Sequence, residues 1–151
     1  MATATKEQTI LLVDEDLDFL DWATKHLEAK GVQILRCDNS ENAVKVADKT
    51  DLDLVISDIQ VQPFDGLELL SRIRAKNSNV AVVLTAGFPT TSQIIEATRR
   101  GARDVLRKES LPFELRPVVE AALQNSEQRK QAEDSIPNLP AADGPVKMIG
   151  I

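Results

Sequence analysis

The chain has 151 residues, with 18 Lys and Arg against 24 Asp and Glu, a net charge of -6 and one cysteine. That length accommodates one ordinary domain with a closed core plus some tail, and would be cramped for two. The acidic balance argues against a general nucleic-acid binder, which needs clustered cations for phosphates, and a lone Cys37 excludes an internal disulfide. No apolar run approaches a membrane span and no charged-then-apolar leader opens the sequence, so the cytoplasm is the expected location.

Residues 1–8 are polar and small and are expected to fray. "TILLV" (9–13) is a nearly unbroken apolar run that reads as a central strand, and Asp14, Glu15 and Asp16 follow it. Leu20, Ala23 and Leu27 mark a first helix ending at Gly31. "VQILRC" (32–37) is a more mixed strand, as edges often are. Ala43, Val44 and Ala47 form a second helical stripe, with Ser40 as the expected N-cap. "LVIS" (54–57) is again unbroken, and the carboxylate of Asp58 stands directly after it. Leu67, Leu69, Leu70 and Ile73 give a third helix, "VAVVLT" (80–85) a fourth strand, and Ile94, Ile95 and Thr98 a fourth helix stopping near Gly101. "DVLR" (104–107) is a short mixed strand with Lys108 at its end, and a fifth helix carrying Leu115, Val118, Val119, Ala122 and Leu123 starts near Pro112. Helical propensity continues into "QNSEQRKQAED" while apolar positions fade after Leu123, so this part is expected to project as a helix with a weak coiled-coil seam. "SIPNLPAADGP" reads as a flexible linker, and "VKMIGI" is abruptly apolar again. The expected division is a domain over 9–125 with a helical extension and linker over 126–151.

Strict alternation of strands and helices implies right-handed crossovers and a doubly wound five-stranded parallel sheet. Ligands in such sheets bind at the carboxyl ends of the strands. Those ends carry Asp14, Glu15 and Asp16, then Asp58, Thr85 and Lys108. Clustered carboxylates repel in a low-dielectric site and persist as anions only beside a cation. An all-oxygen cluster favours Mg2+ together with a phosphate. A threonine hydroxyl and a lysine point charge both suit phosphoryl oxygens, and a carboxylate so placed can be a nucleophile toward phosphorus. Taken singly, each residue has an ordinary alternative as a turn, cap or solvated side chain; their joint placement at four strand ends favours the chemical reading.

"ILLVDED", "LVISDIQVQPFDGLELL", "VVLTAG" and "GARDVLRK" together resemble the receiver domains of two-component response regulators, over about residues 9–125. The resemblance implies the flavodoxin-like topology, with Asp58 as phosphoacceptor, and Asp14, Glu15, Asp58 and the backbone carbonyl of Gln60 around Mg2+. It also implies Thr85 as the switch hydroxyl, the Ala86 backbone amide as a phosphoryl contact and Lys108 as the pairing lysine. Three departures stand out. Val61 and Gln62 occupy the family's Met-Pro positions, with the proline at Pro63; Glu109 follows Lys108 where the family has proline; and Val105 replaces the switching aromatic, leaving no ring to swing.

The same resemblance implies a histidine kinase as phosphodonor and a homodimer or output face built from the fourth helix, fifth strand and fifth helix. Arg99, Arg100, Arg103 and Arg107 are the expected basic cluster of that face. "VKMIGI" resembles the opening of the ATPase domain of nitrogen-regulator-type transcriptional activators, the alternative being a stand-alone receiver. No membrane contact and no direct nucleic-acid binding by this segment are expected. Two rival functions are a Mg2+-dependent phosphatase with an aspartate nucleophile and an unphosphorylated pseudo-receiver used for docking. No Ser-His-Asp set, glycine-rich phosphate loop or zinc spacing is present. His26 is expected at the surface, with Phe19 and Trp22 covering the first helix.

Overall fold

The computed structural model describes residues 7–135. Strands β1 (Gln8–Val13), β2 (Val32–Cys37), β3 (Leu54–Asp58), β4 (Ala81–Ala86) and β5 (Asp104–Arg107) alternate with helices α1 (Leu17–Leu27), α2 (Ser40–Lys49), α3 (Gly66–Lys76), α4 (Thr91–Arg99) and α5 (Leu111–Ser135). All strand pairs are parallel, in the order β2-β1-β3-β4-β5. The chain leaves β1 in one direction for β2 and returns on its other side to β3, which puts the topological switch between β1 and β3.

Side chains alternate across each central strand, so each strand feeds two cores. Leu11 and Val13 of β1, Val55 of β3, and Val82 and Leu84 of β4 pack with Ala43, Leu69, Leu70, Ile73 and Ala97 beneath α2, α3 and α4. Ile10, Leu12, Leu54, Ile56, Val83 and Leu106 pack on the other face with Leu20, Ala23, Leu27, Leu115 and Val119 of α1 and α5. Burial on both faces is why β1, β3 and β4 read as unbroken apolar runs. The edge strand β2 is only half covered, which is why it reads as mixed.

Local chemistry moves several element ends. Asn39, not Ser40, caps α2: its side chain accepts from the Asn42 N–H at 2.8 Å. Ser40 is fully buried inside the helix, where its N–H donates to Gln62 O (2.8 Å) and its hydroxyl accepts from the Phe64 N–H (3.1 Å). α1 stops at Leu27, before Gly31, whose positive φ of 81° turns the chain into β2. β3 continues onto Asp58 because that residue pairs with Thr85. A 3-10 turn, Lys108–Ser110, precedes α5, so Pro112 falls in the first α-helical turn as its missing N–H favours. The one cis peptide among the described residues is Gln62–Pro63.

α5 departs most from expectation. It runs unbroken for 25 residues, and it does not leave the body after Leu123: Ser126 is 4% exposed, and Lys130 forms an ion pair with Asp53. "VKMIGI" and most of the expected linker lie outside the described residues.

Candidate functional site

Asp14 follows the last residue of β1 and is 1% exposed. Its Oδ1 accepts from the Asp16 N–H at 2.9 Å, which fixes the carboxylate plane at the mouth of the β1–β3 crevice. Asp16 takes the ordinary capping role, accepting from the Asp18 and Phe19 N–H groups at the start of α1. Asp58 ends β3 with its side chain 14% exposed, and its Oδ1 accepts from the Gln60 N–H at 3.1 Å. Lys108, directly after β5, brings the two carboxylates together: its Nζ donates to Asp14 Oδ2 at 2.7 Å and Asp58 Oδ2 at 3.0 Å. The same ammonium lies 4.6 Å from the centre of the Phe19 ring, a cation-π contact.

A buried carboxylate, Asp14, and a partly buried one, Asp58, share one ammonium, so the pocket keeps an excess of negative charge. Burial pushes the Asp14 carboxyl above its usual range, against the opposing pull of Lys108 and the Asp16 N–H. Burial also disfavours the Lys108 charge, but hydrogen bonds to Asp14 and Asp58 outweigh it and leave the ammonium held more firmly than usual.

The expected metal set comes together only in part. Among the described residues, no group of three or more Asp, Glu, His or Cys side chains could hold a metal ion by itself. Glu15 is exposed and lines a shallow cavity of about 420 Å3 with Gln60, Gln62, Asp65 and Gln93. Asp14 and Asp58 nonetheless converge on one cation, and their hard oxygens suit Mg2+, which commonly uses one or two carboxylates and completes its shell with water and phosphate.

Thr85 supplies an observation of a different kind. It is fully buried, opposite Asp58 in the sheet, and its Oγ1 has no hydrogen-bond partner among the described residues. A buried hydroxyl without a partner is costly, so a ligand oxygen placed beside it would find an unmatched donor. Thr85→Val is therefore expected to raise the unfolding free energy by about 1 kcal/mol in a guanidinium melt; a loss of stability would mean that the hydroxyl already has a partner. Ala86 ends β4 beside it, and Val105 is half-buried opposite Leu84.

Gly66 has no side chain to mark it in the sequence as a site residue, yet it sets how closely α3 approaches Asp58. A Cβ there would stand 2.5 Å from Asp58 O and 2.8 Å from Ile59 Cα, so only glycine lets α3 begin against the end of β3. The role of Phe19 under Lys108 had no sequence signal beyond an aromatic near the acidic cluster.

The expected basic cluster divides. Arg100 turns toward α3, pairing with Glu96 at 2.8 Å and donating to Leu67 O and Ser71 Oγ. Arg107 pairs with Glu109 at 3.1 Å. The Asn125 side-chain oxygen accepts from the Arg103 guanidinium, in the amide orientation that satisfies both groups. Arg99 is exposed on α4, near the exposed Ile94 and Ile95.

The model of the family described as the response regulator receiver domain matches residues 10–120. The chain is similar to the response regulator protein FleR of Pseudomonas aeruginosa, 30% identical over 141 residues that make up 92% of this chain and 27% of FleR. It is also similar to the chemotaxis protein CheY of Listeria monocytogenes, 29% identical over 113 residues, 74% of this chain and 92% of that protein. Among solved structures, the signal receiver domain of an HD domain-containing protein from Pseudomonas fluorescens Pf-5 matches with a TM-score of 0.79 and 26% identity, covering 87% of this chain and 97% of that one. The chain thus spans about a quarter of the length of FleR and nearly all of CheY.

Proposed function

The chain belongs to the response regulator receiver family, and we propose that it accepts a phosphoryl group on Asp58 from a histidine kinase in a Mg2+-dependent reaction and thereby switches an output partner or domain. The single observation that carries this reading is the convergence of Asp14, Asp58 and Lys108 at the β1–β3 crevice, beside the unpartnered hydroxyl of Thr85.

In this reading an Asp58 carboxylate oxygen attacks phosphorus, the phosphorus–nitrogen bond of the donor histidine breaks, and the imidazole leaves with the electron pair. Mg2+ held by Asp14, Asp58 and the Gln60 carbonyl, with Glu15 at the rim, would offset the charge gathering on the phosphoryl oxygens. Lys108, released from its shared contact, pairs with a phosphoryl oxygen. Thr85 and the Ala86 amide supply donors to another. Only contacts that differ between the two states can shift their balance, and the Thr85 hydroxyl gains a partner in one of them alone. Its movement would draw on the β4–α4 loop, with Val105 offering a smaller obstacle than a ring.

The output side follows from what α4, β5 and α5 expose. Arg99, Ile94, Ile95 and Phe113 offer a mixed basic and apolar face suited to a second copy or to a downstream domain. FleR is far longer than this chain, which favours an attached output module such as the ATPase of a transcriptional activator; the CheY match keeps the stand-alone form as its alternative. No described helix is long and apolar enough to cross a membrane, and the kinase reaction places the chain in the cytoplasm in this reading. A phosphatase acting on a separate substrate is disfavoured, since it would need a second acid and a cap over the site.

The test is intact mass after incubation with a small phosphodonor and Mg2+. One added phosphoryl group, absent in Asp58→Asn and after chelation of Mg2+, is the expected result. No adduct together with no Mg2+ affinity would leave a docking module, and steady phosphate release with no trapped adduct would revive the phosphatase.

A further inference from the structure

β3 is flanked by a carboxylate at each end. Asp58 closes it at the crevice; Asp53, immediately before it, lies at the opposite pole and is 2% exposed. A buried carboxylate is costly unless it is paired and hydrogen-bonded. Asp53 meets both conditions, and its partners come from distant parts of the chain. Its Oδ2 accepts from the Thr9 N–H of β1 at 2.8 Å, while its Oδ1 accepts from Ser126 Oγ at 2.7 Å and Lys130 Nζ at 2.6 Å.

Two further contacts reach the same stretch of α5. Arg129 Nη1 donates to Asn79 O, between α3 and β4, at 2.8 Å, and Gln8 Nε2 donates to Leu123 O at 2.8 Å. Ser126 and Lys130 lie four residues apart and so share a helix face. They continue the stripe of Val119, Ala122 and Leu123 beyond the point where its members stop being apolar. The buried face of α5 therefore does not end at Leu123; it changes from hydrophobic to ionic.

We infer that Asp53, Ser126 and Lys130 form a latch that clamps the extension of α5 to the pole of the sheet opposite Asp58. The latch makes residues 126–130 part of the receiver body and fixes the direction in which the following chain departs. A helix held only by its apolar stripe would be free to fray or swing after Leu123. Here its next two turns are tied to β1, to the start of β3 and to the α3–β4 connection. Burial opposes ionisation of Asp53, but Lys130, Ser126 and the Thr9 N–H outweigh it and hold the carboxyl below its usual range, consistent with an ionised latch at neutral pH. The latch shares no side chain with the Asp14–Asp58–Lys108 pocket and does not depend on the phosphoryl chemistry proposed for it.

Amide hydrogen exchange on the full chain tests the latch, comparing the native protein with Lys130→Met, Ser126→Ala and the exposed-site control Gln128→Ala. Lys130→Met keeps the aliphatic stem and removes the charge. The expected result is exchange about tenfold faster or more across residues 124–135 in Lys130→Met and a smaller rise in Ser126→Ala, with the control unchanged. Protection of β1, β3 and β4 should stay near native, and any phosphoryl uptake should match the native protein. Unchanged protection of 124–135 in Lys130→Met would overturn the latch. So would an equal loss of protection throughout the domain, which would make the pair a general core contact.

Discussion

Asp14→Asn is expected to make the protein more stable at neutral pH while reducing Mg2+-dependent phosphoryl incorporation roughly 100-fold or more. The two effects have one cause. Asp14 is 1% exposed, and its carboxylate stands with that of Asp58 around a single ammonium, so its negative charge is held at a cost that burial dominates. A carboxyl whose folded pKa lies above the unfolded value opposes folding when ionised, and the penalty is relieved as pH falls through the folded value. An asparagine of the same shape removes the penalty and still accepts from the Asp16 N–H through its oxygen; its NH2 then replaces the oxygen that accepted from Lys108, so the ammonium turns to its remaining partner, Asp58, a loss smaller than the charge penalty removed. Thermal melts should therefore show a higher Tm for the variant near pH 7, with the gap closing on acidification as native Asp14 takes up its proton. The same substitution removes an anionic oxygen from the proposed Mg2+ site, and even neighbours of metal ligands typically cost ~10–100-fold in affinity. A variant no more stable than native at pH 7, or one that takes up the phosphoryl group normally, would separate Asp14 from the role argued for it.

The contrast between β3 and α5 shows what can be read from residues alone. A central strand buried on both faces must be apolar throughout, so "LVIS" announced its place, and a charge directly after it announced the crevice. Asp14 and Thr85 were legible for the same reason, since each follows or ends a nearly unbroken apolar run; Lys108 follows the short mixed strand β5 and was legible from the alternation of strands and helices instead. Glu15 shows the limit, because adjacency in sequence to Asp14 does not place the two carboxylates on one side of the chain; Asp14 is buried and Glu15 exposed. Arg100 shows another. It reads as one of four arginines near an output face, yet side-chain length and the nearby Glu96 and Glu68 turn it toward α3. Asp53, Ser126 and Lys130 were missed because hydrophobic periodicity sees only apolar burial; a stripe that continues through a serine and a lysine looks like solvent-facing helix until the carboxylate that partners them is known. Asn39 and Ser40 are both good caps, and the choice between them depended on Gln62 and Phe64, more than twenty residues away.

Gly66→Ala is expected to destabilise the fold by about 3 kcal/mol or more, although alanine is ordinarily favoured over glycine in a helix by about 1 kcal/mol. Gly66 opens α3 behind the Asp65 cap, whose side chain accepts from the Glu68 N–H at 2.9 Å, and its own N–H donates to Ile59 O at 2.7 Å. These contacts press the helix start against the backbone that carries Asp58. An added Cβ meets Asp58 O at 2.5 Å, Ile59 Cα at 2.8 Å and Asp58 C at 3.2 Å. All three are main-chain atoms at the end of a central strand bonded on both sides, so no flexible side chain can yield. The strain must move either α3 or Asp58, and the phosphoryl uptake proposed for Asp58 should fall along with stability. Gly87 provides the internal control: no atom of the described residues lies within 4 Å of a Cβ built there, so Gly87→Ala is expected to be neutral or stabilising by up to ~1 kcal/mol. Denaturant melts of the two variants separate a steric requirement from a general effect of losing glycine; equal midpoints for Gly66→Ala and the native chain would refute the close approach of α3 to β3 as the reason for that glycine.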